Sequence, residues 1–153
     1  MSPEARLEAM GLRLPEVPTP VATYVPFKRD GATVYLSGQG PRRPEGGYHV
    51  GKVGAGVTVE AAYGHARQTA LQLLAVARLA AGGDLSRVEI LKVFGMVNAA
   101  PDFADHPKVI NGCSDLFVEV LGERGRHARS AVGMGSLPNG MTVEIEAVIR
   151  IVE

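Results

Sequence analysis

The final run of the chain, "MTVEIEAVIRIVE" from Met141, constrains the fold more than any other segment. From Val143 to Val152 it reads as a strand, and alternate residues of a strand point to opposite faces of a sheet. Val143, Ile145, Ala147, Ile149 and Ile151 then make one continuous apolar face, which has to be covered. Glu144, Glu146, Val148, Arg150 and Val152 make the other, half charged and half aliphatic, a mixture that suits neither open solvent nor a dry core. The run predicts a sheet with helices on one face and partial cover from another subunit on the other.

The helices are legible upstream. Residues 59–81, "VEAAYGHARQTALQLLAVARLAA", place Ala62, Ala66, Ala70, Leu73, Leu74, Ala77 and Ala81 at helical spacing, with Thr58 as cap and Gly82-Gly83 as stop. A second helix is expected after Asp105, a candidate cap, with Pro107 in its first turn and Val109, Ile110, Cys113, Leu116, Phe117, Val120 and Leu121 on one face. Gly122 and Gly125 can end it. Strands are expected at 22–28 and 33–37, joined by the Asp-Gly hairpin signal in "RDGA", with Pro26 marking the first as an edge or bulged strand. Further strands are expected at 88–98, 129–134 and 141–152, the last two separated by the turn residues of "GSLPNG". The order β-β-α-β-α-β-β favours an α+β fold with two helices on one face of a mixed sheet. Residues 1–20, with a short amphipathic helix at 3–11 followed by Pro15, Pro18 and Pro20, form an N-terminal arm, and 21–153 form one domain. The glycine-rich stretch 38–56 is expected to be a long mobile connection at the rim of a ligand cleft.

Charge narrows the function. Sixteen basic and sixteen acidic residues cancel, so no global positive field gathers phosphate contacts, which weighs against nucleic acid and fits a small carboxylate ligand better. Cys113 is the only cysteine, which excludes an intrachain disulfide and a multi-thiolate metal site. His49, His65, His106 and His127 have no metal-ligand spacing, and His65 reads as a polar-face helix residue. The "GKVGAG" stretch lacks the Gly-Lys-Ser/Thr end of a phosphate loop and reads as a flexible connection. Nothing resembles a secretory leader or a membrane span, so the cytoplasm is the expected location. In "HARSAVGM", Arg129 opens a strand. A planar guanidinium can hold a carboxylate through two parallel hydrogen bonds, or it can pair with Glu144 or Glu146. Glu146 is expected to serve as an ion-pair partner, with Arg150 a candidate, and Cys113 to be packed in the helix stripe.

The segments "YLSGQGP" and "ARSAVGMGSLPNGMTVEIEAV", in order with the paired helices, resemble the Rid/YjgF family of reactive-intermediate deaminases, over roughly residues 20–153. The resemblance implies a chorismate-mutase-like fold and a homotrimer whose sheets line a central barrel, with ligand clefts between subunits. It also implies hydrolysis of imines or enamines derived from amino acids, without metal or organic cofactor, releasing ammonia and a 2-keto acid. Carried over by residue, Arg129 matches the arginine that grips the substrate carboxylate and Glu144 the glutamate near the attacking water. Tyr24, Ser37 and Asn111 fall at or near the cleft. Ala131 stands where cysteine is common in the deaminases, and can offer only its backbone amide. Ala22-Thr23 replaces the usual Gly-Pro, and the arm and the 38–56 loop are longer than usual, which marks a divergent subgroup. Two other functions follow from the same residues: a metabolite-binding or regulatory module using the same cleft without turnover, and an RNA-directed role, since some relatives are labelled ribonucleases or translation inhibitors.

Overall fold

The computed structural model describes residues 1–20 and 22–153; Val21, where the arm was expected to give way to the domain, lies outside them. The elements among the described residues are α1 (Pro3–Ala9), β1 (Phe27–Asp30), β2 (Thr33–Gln39), β3 (Lys52–Val53), β4 (Gly56–Val57), α2 (Val59–Ala80), β5 (Val88–Asn98), α3 (His106–Leu121), β6 (Ala128–Met134) and β7 (Val143–Ile151). The five long strands form one sheet in the order β1-β2-β7-β5-β6. All neighbours are antiparallel except β5 and β6.

The alternation in β7 is as expected: Val143, Ile145, Ala147, Ile149 and Ile151 are buried, while Glu144, Glu146, Val148 and Arg150 are half-buried or exposed. The buried face packs under α2 and α3 in a core that includes Leu73, Leu74, Val93, Val97, Ile110, Leu116 and Phe117. Each such side chain fully removed from water contributes about 1.5–3 kcal/mol relative to an exposed one. The two helices approach closely because Gly112 has no side chain: a Cβ there would stand 2.1 Å from the Tyr63 backbone oxygen. Gly112→Ala would have to push the helices apart. Thr58 caps α2, its side chain accepting from the Ala61 N–H at 3.1 Å, and Gly82, with φ 70°, follows its end. Asp105 occupies the N-cap position of α3 without accepting a hydrogen bond there; its carboxylate lies 3.7 Å from Lys108 Nζ instead.

Three expectations change. The first strand begins at Phe27 and not at residue 22, because Pro26 has no N–H for the ladder and the chain before it turns away. The hairpin itself is as expected, with Asp30 opposite Thr33 and Gly31 at φ 63° in the first central position. The 38–56 stretch is not wholly irregular: β2 runs into it to Gln39, β3 and β4 pair within it, and Val53 is fully buried. Arg150 pairs with Glu89, its cross-strand neighbour, and not with Glu146. Before the sheet, α1 docks on the helical layer: Leu7 is buried, Arg6 Nη1 donates to Val120 O at 3.1 Å, and Glu4 accepts from the Leu85 N–H at 2.9 Å. Among the described residues no helix is long and apolar enough to cross a membrane.

Candidate active site

The sequence-predicted site residues fall into two groups that one chain does not bring together. Register decides this. Glu144 lies opposite Met96, and Met96 opposite Val132, whereas Arg129 lies opposite Val93. Met96 and Val93 are an odd number of residues apart on β5, so Glu144 and Arg129 project from opposite faces of the sheet. Arg129 and Ala131 are on the helix-covered face of β6, an edge strand. Glu144 is on the face that the helices leave uncovered.

The first group lines a cavity of about 330 Å³. Its walls come from the arm (Val17, Pro18), the segment before β1 (Tyr24), the end of β2 and the loop after it (Ser37, Gly38, Arg42, Tyr48), the 138–141 turn, and Glu144. Tyr24 is two-thirds exposed. The Ser37 hydroxyl donates to Val25 O at 2.6 Å, and the Ser37 N–H to Pro26 O at 2.9 Å, so this serine fastens the segment carrying Tyr24 to the sheet. It does so where β2 is bulged, between Leu36 and Gln39. Gly38 is required by a close approach: a Cβ there would stand 2.3 Å from Glu144 Oε2. Asn139 takes a left-handed conformation, φ 58°, which asparagine tolerates, and so turns the chain back into β7 at the cavity wall. Desolvation holds the Glu144 carboxyl above its usual range, and repulsion from Glu146 adds to the effect. A carboxyl poised in that way can accept a proton more readily than a fully solvated one.

The second group surrounds Arg129. Its Nη1 donates to Asn111 Oδ1 at 2.8 Å and to Ser114 Oγ at 3.1 Å. Ser114 in turn lies 2.9 Å from His127 Nε2, and His127 Nδ1 is 2.6 Å from Gly125 O. The carbonyl can only accept, so Nδ1 carries the proton, and in the neutral ring Nε2 accepts from the Ser114 hydroxyl. That leaves the serine oxygen's lone pairs for the arginine. Burial first, then the Arg129 charge, hold the His127 pKa below its ordinary 6.5, against an opposing pull from the Gly125 carbonyl, which favours this neutral arrangement. With Nη1 engaged, Nε and Nη2 of Arg129 keep the two-nitrogen edge that forks onto a carboxylate. Among the described residues no carboxylate pairs with it, so the possible ion pair with Glu144 or Glu146 does not form.

Sequence reasoning missed Ser114 and His127. The signal was there: Asn111 and Ser114 are three apart on one helix face, and His127, Arg129 and Ala131 alternate along one strand face. His65 is also not a solvated helix residue. It is half-buried, stacks on His49 at 4.2 Å between ring centroids, and has Nδ1 2.9 Å from Thr142 Oγ1. Burial lowers its pKa from 6.5 to about 4. Cys113 is fully buried in the helix stripe, where burial pushes its thiol well up, so it is packing and not a nucleophile. Among the described residues no three His, Cys, Asp or Glu side chains gather as a metal-ligand set.

A mixed sheet with paired helices on one face, an uncompensated arginine at its edge and a carboxylate in a cavity on its other face define an α+β, chorismate-mutase-like protein with room for a small ligand. Residues 4–143 match the family model described as "YjgF/chorismate_mutase-like, putative endoribonuclease", and the chain belongs to that family. Protein TCP17 of Trypanosoma cruzi is 40% identical over 149 residues, covering 96% of this chain and 92% of that protein. The crystal structure of Atu1372 from Agrobacterium tumefaciens, a protein of unknown function, is 43% identical with a TM-score of 0.91, over 97% of this chain and 92% of that one. RidA from the Antarctic bacterium Psychrobacter sp. is 30% identical with a TM-score of 0.60, over 89% and 94%.

Proposed function

We propose that the protein is a hydrolytic deaminase of small imines or enamines that carry a carboxylate, working in a cleft between subunits of a homotrimer. The observation that carries this reading is the division of the site. A guanidinium with its forked edge free stands at the β6 edge, and a carboxylate with a raised pKa stands in a cavity on the opposite sheet face. A second copy, offering its β6 edge to the first copy's cavity, completes the site and covers the mixed face of β7. Closed rotational symmetry then repeats the contact around a ring.

In such a cleft Arg129 holds the substrate carboxylate, fixing the imine carbon near Glu144. Glu144 accepts a proton from water as its oxygen adds to that carbon, giving a carbinolamine. The proton passes to nitrogen, and as the C–N bond breaks Glu144 takes up the hydroxyl proton while the carbonyl forms, so that ammonia leaves with a 2-keto acid. The family membership and the likeness to a RidA support this chemistry. Ala131 supports a second reading, in which the same cleft binds a metabolite carboxylate without turnover, because no thiol stands beside Arg129.

Ammonia and keto-acid release from imines generated in situ from a panel of amino acids tests the proposal, with light scattering on the same sample. Turnover by a trimer is expected. A monomer at micromolar concentration, or carboxylate binding without turnover above the uncatalysed rate, overturns the deaminase reading.

A further inference from the structure

The cavity that holds Glu144 contains a second charged side chain, Arg42, for which the deaminase reading has no use. Among the described residues, Glu144 and Arg42 are the only charged ones in its lining. Gly38, Gly40 and Arg42 all line the cavity where the chain leaves β2, and a tight turn at Pro41, closed by the Arg42 N–H on Gly40 O at 3.0 Å, carries the chain from the second glycine to the arginine. The two glycines let Glu144 and Met141 lie against the backbone: a Cβ at Gly40 would stand 2.1 Å from Met141 Sδ. The backbone at Arg42 is held by a β-bridge to Tyr48, another lining residue. Among the described residues its guanidinium makes no ion pair or side-chain hydrogen bond, whereas neighbouring Arg43 is taken by Glu45 at 2.5 Å.

Resting on the deaminase reading, we propose that Arg42 is a second carboxylate anchor and that the cleft selects imines of dicarboxylic amino acids. The charges are complementary. A completed cleft would hold two guanidinium groups, Arg42 and a neighbouring copy's Arg129, and one carboxylate, Glu144. A dicarboxylate iminium carries the opposite set, two carboxylates and one cation. A monocarboxylate would leave Arg42 desolvated without a partner, which is unfavourable for a half-buried charge.

The test is calorimetric titration of the full-length protein with two product-like probes, 2-oxobutyrate and 2-oxoglutarate, repeated on Arg42→Ala and Arg129→Ala. The wild-type protein should bind 2-oxoglutarate at least tenfold more tightly. Arg42→Ala should weaken 2-oxoglutarate at least tenfold and so remove that preference, while 2-oxobutyrate binds no more weakly than before, and Arg129→Ala weakens both. Equal affinities in the wild type, or a preference that survives Arg42→Ala, overturn the second anchor and leave the deaminase reading standing if 2-oxobutyrate binding still depends on Arg129. Binding of neither probe overturns both.

Discussion

Replacing Arg129 by alanine separates its two possible duties, holding ligand and holding the fold. In the free protein the side chain makes two hydrogen bonds, to Asn111 and Ser114. Both partners are only half-buried, so water can replace the guanidinium, and the stability lost should be on the order of 1–2 kcal/mol, from two bonds at about 1 kcal/mol each less that replacement. A domain with a stability of about 5–15 kcal/mol survives that. Ligand binding is different, because truncating one partner of a desolvated, hydrogen-bonded charge pair costs about 2–5 kcal/mol. At about 1.4 kcal/mol per decade, kcat/KM should fall roughly 30-fold to several thousand-fold. Arg129→Lys keeps the charge but not the Nε–Nη2 fork and should recover only part of the loss. The assay is ammonia release with carboxylate titration and a melting curve on the same samples. A folded, oligomeric Arg129→Ala protein with undiminished carboxylate affinity would refute the reasoning.

Glu144→Gln should lower kcat more than it weakens binding, since it keeps shape and removes the proton acceptor. It should also raise Tm at neutral pH: a carboxyl whose folded pKa is raised gives stability that is present below the ordinary 4.5 and lost as pH rises through the folded value, so the gain should vanish in acid. For His65 the sign is reversed. Its folded pKa of about 4 lies below 6.5, so its contribution is present above 6.5 and lost as pH falls toward 4; His65→Gln should flatten the Tm-versus-pH curve in that window. In the 38–56 loop, hydrogen exchange should be fastest at the exposed 43–47 tip and slow at the amides of Gly51 and His49, which are bonded to Gly140 O and Pro41 O; uniform fast exchange would contradict that.

Most of the fold was legible because its elements rest on strong local signals. The apolar stripe and caps mark α2, the largely apolar run of residues 88–98 marks β5, and the period-2 alternation marks β7. What the sequence hid depends on long-range partners. Arg150 could be given a partner only once β5 was known to lie beside β7, which sets Glu89 opposite it. His65 reads as solvated until the loop returns His49 onto its ring. Arg42 sits among glycines and prolines that look like a plain connection, and only the folded loop turns it toward the cavity. Resemblance pointed to Arg129 and Glu144 as one site, yet that they lie on opposite faces of one chain's sheet follows from register, which no single segment encodes.

That register makes subunit complementation the sharpest test of where the site lies. If Arg129 and Glu144 meet only across an interface, an Arg129→Ala subunit still offers a good Glu144 wall, and a Glu144→Gln subunit still offers a good Arg129 edge. Each homotrimer alone is impaired at every cleft. After unfolding, mixing in equal amounts and refolding, random assembly in a ring places an intact wall against an intact edge in about one cleft in four, the product of two halves. The mixture should therefore regain about a quarter of wild-type activity, and simple mixing without subunit exchange should regain none. A site contained within one chain predicts no recovery under either protocol, since every chain then lacks one of its two groups. Refolded mixtures that are trimeric by light scattering and no more active than the average of the two parents would reject the intersubunit site.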